Sequence, residues 1–400
     1  MIANPLIEKL QPSATLELNQ KAKSMAAMGQ SIINLTAGEP DFDTPLRVRE
    51  AAIKAMNSGE THYTAVGGIA QLKEAIATLS TSVYSRAVAP KNIIVTSGAK
   101  QALFNLFYAI LRPQDEVVVF SPYWVSYADM VAMVGGQPVI VKTDIQSSFE
   151  PSIEAIESVL NSKTRAIILN SPSNPTGAMY SQKFFEEFAK LMAKHPEILI
   201  VTDDIYRQLV YNGKKFMSIG MFEDLSIERL VLIDGVSKAY SMTGWRLGWA
   251  VASEPIIKLM AKIQGQTTSN ASSISQWAAL EAIQGDQKDV IDMRDAFEHR
   301  RDELDAFFSK RQLFSYHKPE GAFYFFPDCK KYLGCKTSDG LLLDTDITLC
   351  LYLLEKCGVA VVPGTAFGAP GHFRISFGSS IDQLLEGAKR LEKGLKEIQD

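Results

Sequence analysis

Lys238 stands in the run Gly235-Val236-Ser237-Lys238-Ala239-Tyr240, with Arg246 eight residues further on. A lysine among serine, small residues and aromatics gives up its proton more readily than one in water. Its free amine can then attack a carbonyl to give a Schiff base. Ser237 and Arg246 beside it suit a phosphate. Asp203, Asp204 and Tyr206 form a second group. A carboxylate at the end of a buried strand is costly unless it meets a cation, such as a protonated ring nitrogen; the same pair also reads as a helix N-cap. A third group is Ser171-Pro172-Ser173-Asn174-Pro175-Thr176-Gly177, where two prolines and a glycine stiffen a loop that carries Asn174. By itself it reads equally as a rigid surface turn. The fourth is Ser97-Gly98-Ala99-Lys100, ahead of a helical pattern. Backbone N–H groups at such a helix start favour an anion, although the segment alone is also an ordinary tight turn. There is no GxxxxGK[ST] and no GxGxxG, so nucleotide loops are not supported. Together the four groups offer an amine nucleophile, a carboxylate, a phenol and a phosphate cradle.

The elements that must position them are legible as short apolar runs. Strands are expected at Ile93–Thr96, Glu116–Phe120, Pro138–Val141, Ala166–Asn170, Ile198–Thr202 and Leu230–Asp234. Most are continuous rather than alternating, as in strands buried on both faces of a mostly parallel sheet. Helical patterns lie between them at Gln101–Leu111, Ile153–Leu160 and Gln182–Lys194. All four polar groups follow strand ends, where ligands of open α/β sheets bind. Later, Val290, Met293, Phe297, Leu304 and Phe308 recur with the spacing of a long amphipathic helix. Beyond it come hairpin-like strands (Gly321–Phe326, His372–Phe377) and helices (Ile347–Lys356, Ile381–Ile398). The expected fold is α/β: a large domain, residues 46–285, with a mostly parallel sheet flanked by helices. A smaller α+β domain is expected from both chain ends, residues 1–45 and 286–400.

The chain has 400 residues, of which 46% are hydrophobic and 22% charged, which suits a globular protein of two domains. A net charge of -4 gives no general attraction to nucleic acid or to an anionic membrane. The four cysteines (Cys329, Cys335, Cys350, Cys357) form no CxxC pair and read as reduced thiols. The five histidines show no HxxxH or HExxH spacing, which speaks against a metal enzyme. The N-terminus lacks the apolar stretch of a signal peptide and no run approaches a membrane span. A cytoplasmic location is expected. Asn34-Leu35-Thr36 matches the glycosylation sequon, an accidental match without export.

In order along the chain, SPYW, NPTG, DDIY and SKxxxMTGWRLG resemble the fold type I pyridoxal-phosphate aminotransferases. PSAT, LTAGEPDFDTP, GGxxQLKEAI, AKQALFNLF, GVAVVPGTAFG and FRISF extend the resemblance over nearly the whole chain and look like the bacterial aspartate aminotransferase branch. The resemblance implies pyridoxal 5′-phosphate and a set of roles. Lys238 would be the Schiff-base lysine and proton shuttle of a ping-pong cycle. Asp203 would pair with the pyridine nitrogen, Tyr206 and Asn174 with the ring's phenolic oxygen, and Trp124 would stack on the ring. Gly98, Ala99, Lys100, Ser237 and Arg246 would surround the phosphate. Tyr63 would reach the phosphate of a neighbouring subunit, which implies a homodimer. Arg374 would grip the substrate α-carboxylate, and Gly38 would close over it.

For substrate choice, the resemblance assigns the side-chain carboxylate to Lys100 and Thr15. That favours L-aspartate with 2-oxoglutarate, giving oxaloacetate and L-glutamate. Relatives of this branch also act on prephenate or aromatic amino acids. In many of those a basic residue precedes PSAT, where this chain has Gln11. A β-lyase would share Lys238, Asp203 and Arg374. A transcription regulator would need a DNA-binding module ahead of PSAT, and PSAT starts at residue 12.

Overall fold

The structure is a computed structural model. It describes residues 5–8 and 14–398, with side chains described at 6–8 and 17–398. The first strand is the short β1 (Ile33–Asn34). The next seven are β2 (Ile93–Thr96), β3 (Glu116–Ser121), β4 (Gln137–Lys142), β5 (Thr164–Leu169), β6 (Leu199–Asp203), β7 (Leu230–Gly235) and β8 (Gly248–Val251). They build one sheet in the order β2-β8-β7-β6-β5-β3-β4. Six strands share a direction, and β8 runs antiparallel to both of its neighbours. The six expected strands all form, with ends shifted by no more than two residues.

Neighbouring residues in these strands serve opposite faces. Ile93, Val95, Ile167, Ile200 and Leu232 join one apolar cluster. Ile94, Ala166, Ile168, Val201 and Ile233 join another across the sheet. That is the period-two geometry of a strand covered on both sides, and it explains the continuous apolar runs. The covering helix Gln182–Ala193 shows the local logic. Ser181 caps it by accepting the Phe184 N–H at 3.1 Å. Its buried Phe184, Phe185, Phe188, Leu191 and Met192 then form one stripe against the sheet.

β8 was not expected from the sequence. It is four residues long and opens with glycine, a weak strand signal. Pairing on both sides forms it: Gly248 opposes Thr96 and Gly235, and Val251 opposes Ile93 and Leu232.

The remaining strands are β9 (Tyr324–Phe325), β10 (Val359–Ala360), β11 (Val362–Pro363) and β12 (Phe373–Ser376). β11, β12 and β9 make a small antiparallel sheet, and β1 pairs in parallel with β10. Helix Asp346–Cys357 starts at the Thr345 cap and ends at Gly358, whose φ of 68° favours glycine. The long helix Lys288–Arg311 buries Val290 in the first sheet cluster. It buries Met293, Phe297, Leu304 and Phe308 in a third cluster shared with Leu35 and residues up to Leu395. One helix thus ties the two cores together. No helix among the described residues is long and apolar enough to cross a membrane.

Candidate active site

Six parallel strands place six carboxyl ends on one edge of the sheet. β8 runs the other way, so the residues leading into it, including Arg246, belong to the same edge. A cleft of about 670 Å³ opens there, the size of a small-molecule site. Lys238, Asp203, Tyr206, Asn174 and Arg374 line it. So do Gly38, Ala99, Lys100, Trp124, Ser237 and Arg246. Tyr63 does not: it is 89% exposed on the outer surface. The Thr15 side chain and Gln11 lie outside the described residues.

Lys238 follows β7 and sends Nζ toward the N-terminal segment, donating to the Gly38 carbonyl at 2.5 Å. The Tyr206 and Phe323 rings lie 6.0 and 5.9 Å away. Its pKa is lowered to about 8, chiefly by burial; Arg374 and Arg246 push the same way, while Glu39 and Asp203 oppose them. Such an amine is free often enough near neutral pH to act as nucleophile or base.

Asp203 and Asp204 diverge. Asp204 turns from the cleft and accepts bonds from the hydroxyls of Thr202 at 2.6 Å, Tyr84 at 2.8 Å and Ser218 at 2.9 Å. Asp203 ends β6 and is 4% exposed at the cleft. It accepts the Tyr127 hydroxyl at 2.7 Å and, more distantly, the Ile205 N–H at 3.4 Å. Burial raises its pKa to about 6 against these two bonds. A buried carboxylate with hydroxyl and amide partners only is suited to a cationic N–H donor.

Arg374, on β12, is 3% exposed. Nη2 donates to the Thr36 carbonyl at 2.7 Å and Nη1 to the Asn174 side-chain oxygen at 3.0 Å. Nε is buried without a partner. The guanidinium lies 4.4 Å from the Tyr324 ring centre and 5.1 Å from that of Phe367. A buried arginine held by neutral acceptors and ring faces keeps its charge for an anion.

The turn after β2 demands glycine. Gly98 has φ of 86°, and a Cβ there would stand 2.6 Å from Arg246 Nη2. A Cβ on Gly248 would stand 2.4 Å from the Ala99 nitrogen. The start of β8 therefore lies against the first turn of helix Ala99–Ile110, with the Arg246 guanidinium beside its cap residue Gly98. Lys100 points back into the cleft, 4.8 Å from the Trp124 ring centre. Its pKa is lowered by burial and by Arg246, with Asp129 opposing.

A family model described as aminotransferase class I and II matches residues 30–391. The chain belongs to this aminotransferase family. Among curated relatives, a probable aspartate/prephenate aminotransferase of Rickettsia bellii is 44% identical, covering 98% of each chain. The aspartate aminotransferase of Bacillus subtilis is 43% identical, covering 97% of each. Among solved structures, an aspartate aminotransferase from Rhizobium meliloti superposes with a TM-score of 0.96 at 39% identity, covering 100% of both chains.

Several cleft residues of this aminotransferase escaped the sequence reading. Asn170 lies just past β5; its Nδ2 donates to the Asp203 carbonyl at 2.8 Å and its Oδ1 accepts the Asn174 N–H at 2.9 Å. It stood in a predicted strand, where its polarity in an apolar run was the available signal. Tyr127 and Tyr324 had none: each is one aromatic residue in a helical or core-like pattern. Tyr324 bonds Tyr206 hydroxyl to hydroxyl at 2.9 Å. Asn19, Asn34 and Thr36 bring the N-terminal segment to the cleft wall.

Proposed function

We propose that this aminotransferase holds pyridoxal 5′-phosphate in the cleft and exchanges an amino group between L-aspartate and 2-oxoglutarate by a ping-pong mechanism. One observation carries the reading. An amine of lowered pKa (Lys238), a buried carboxylate lacking a cation (Asp203) and a buried guanidinium lacking an anion (Arg374) face the same cleft. The residues present fit the cofactor. Asp203 would accept its ring N–H, and Tyr206 with Asn174 would meet its phenolic oxygen. Trp124 would cover the ring. The Gly98–Lys100 turn, Ser237 and Arg246 would receive the phosphate, in a cradle that a Cβ on Gly98 would fill.

When bound, the cofactor serves as an electron sink for charge released at the substrate's α-carbon. The chain's own residues do the rest. Arg374 binds the α-carboxylate, with Asn174 and Gly38 beside it. Lys238 Nζ, which faces the same cleft, would take the α-proton and hold it. Asp203 keeps the ring nitrogen protonated.

Lys100 favours a substrate with a second carboxylate: among the described residues it makes no ion pair, and it lines the cleft beside Trp124. Thr15 would join it. The relative named for prephenate supports a second reading, an aromatic or prephenate aminotransferase. Comparing kcat/KM for L-aspartate and L-phenylalanine with 2-oxoglutarate decides between them. Aspartate ahead by tenfold or more, about 1.4 kcal/mol, is expected; parity overturns the aspartate reading.

We also propose a cytoplasmic homodimer in which Tyr63 reaches a partner subunit's cleft. Its exposure outside its own cleft supports this, as does the exposure of the large apolar Leu46, Ile53 and Met56. Sedimentation as a monomer in the presence of cofactor would count against it. The division into residues 46–285, and 1–45 with 286–400, is likewise a proposal. The pairing of β1 with β10 and the packing of Leu35 among C-terminal residues support it.

A further inference from the structure

The segment that matches the glycosylation sequon is built into the cleft wall. Along residues 33–36 side chains alternate: Leu35 packs into the apolar cluster, while Asn34 and Thr36 line the cleft. Thr36 is 1% exposed, so its polar atoms need partners. Asn34 supplies them. Its side-chain oxygen accepts both the Thr36 N–H at 3.0 Å and the Thr36 hydroxyl at 2.7 Å. Its amide nitrogen donates to the Asn19 side-chain oxygen at 2.6 Å. The carbonyl of the same Thr36 takes Arg374 Nη2 at 2.7 Å.

These bonds form one unbroken chain, Asn19 to Asn34 to Thr36 to Arg374. Its far end is helix Ala14–Ala27, which seats Leu18, Ala22 and Met25 on Leu354 and Ala360. Ala360 lies in β10, the strand that pairs with Asn34. Backbone bonds from Leu35 to Ala360 at 2.9 Å and from Ser376 to Leu35 at 2.9 Å fix the segment's rear. The Asn34 side chain adds two further bonds to Thr36, one to its N–H and one to its hydroxyl, in the residue whose carbonyl takes Arg374.

We propose that Asn34 is a positioning residue. It links helix Ala14–Ala27 to Arg374 through Thr36 and holds the guanidinium fork ready for a substrate carboxylate. The inference rests on the carboxylate role of Arg374 proposed above. It makes Asn34 act on binding of every carboxylate substrate, whatever its side chain, and not on proton transfer at Lys238.

The test uses the cofactor-loaded protein and maleate, a dicarboxylate that cannot react, titrated by calorimetry. Asn34→Ala is expected to weaken maleate about tenfold. KM for L-aspartate and for 2-oxoglutarate should rise together, with kcat within about twofold and cofactor affinity unchanged. Should Asn34→Ala not fold, Asn19→Ala removes only the outer link and should weaken maleate about threefold. Unchanged maleate affinity in the folded variant overturns the inference. Arg374→Lys is the control. If it abolishes maleate binding while Asn34→Ala does not alter it, the inference alone falls. If neither variant alters it, the carboxylate role of Arg374 falls, and the inference with it.

Discussion

Arg374 and Asn174, 200 positions apart in the chain, are joined by a 3.0 Å hydrogen bond across the cleft. One comes from β12 and the other from the loop after β5. The acceptor is a neutral amide, so the bond orients the guanidinium without cancelling its charge. An aspartate at position 174 would do the opposite and leave the arginine paired.

Arg374→Lys keeps a charge but loses the planar fork that matches a carboxylate. We expect kcat/KM to fall about 10²–10³-fold, about 3–4 kcal/mol, by the same factor for every amino acid tested. Steady-state kinetics on aspartate and phenylalanine check this. A loss confined to aspartate would place Arg374 at the side-chain carboxylate instead.

The sheet was legible because strands buried on both faces must be apolar throughout. β8 was not, because two neighbours and not its own residues make it a strand. The chemistry-bearing groups after β2, β5, β6 and β7 were legible from their types. Which of Asp203 and Asp204 meets the cleft was not: adjacent residues at a strand end point oppositely, and only the hydroxyls of Tyr84, Thr202 and Ser218, from three places in the chain, mark Asp204 as the one turned away from the cleft. Tyr324 reaches the site from an aromatic run that reads as core.

Lys238 is held against its own preference for charge. Its pKa is lowered from 10.5 to about 8, so between these values the unfolded chain binds more protons than the folded one. Stability of the cofactor-free protein then gains from this group as pH rises through that window, and carries its full cost below pH 8. Lys238→Met removes the cost and also the bond to Gly38. We expect it to stabilise the cofactor-free protein by on the order of 2 kcal/mol at pH 7 while abolishing turnover. The gain should shrink steadily toward pH 10.5 in urea unfolding. A gain that does not vary with pH would mean that packing, not protonation, explains it.

Gly98→Ala puts a methyl group into the Arg246 guanidinium at a φ of 86°. Arg246 must move, and the turn must strain, by about 1–3 kcal/mol. If this turn receives the phosphate, cofactor affinity should fall about tenfold or more, read by fluorescence titration, with the far-ultraviolet circular dichroism unchanged. Pyridoxal without phosphate should bind both proteins alike. Equal losses for pyridoxal and its phosphate would remove the turn from the phosphate site.

Lys100 decides how far the cleft favours aspartate. It leans on the Trp124 ring at 4.8 Å and is partly desolvated, with Asp129 as its nearest opposing influence. A cation over an indole face keeps its charge available, since the ring attracts without neutralising it. Lys100→Ala should therefore cost aspartate at least tenfold more in kcat/KM than phenylalanine, about 1.4 kcal/mol of differential transition-state binding. Asp129→Asn should act the other way, removing a negative charge from the cleft wall and raising the aspartate preference about two- to threefold, a few tenths of a kcal/mol. The two changes test the charge balance at this end of the cleft from both sides. If Lys100→Ala lowers both substrates equally, the residue serves the phosphate alone, and Asp129→Asn should then leave the ratio where it was.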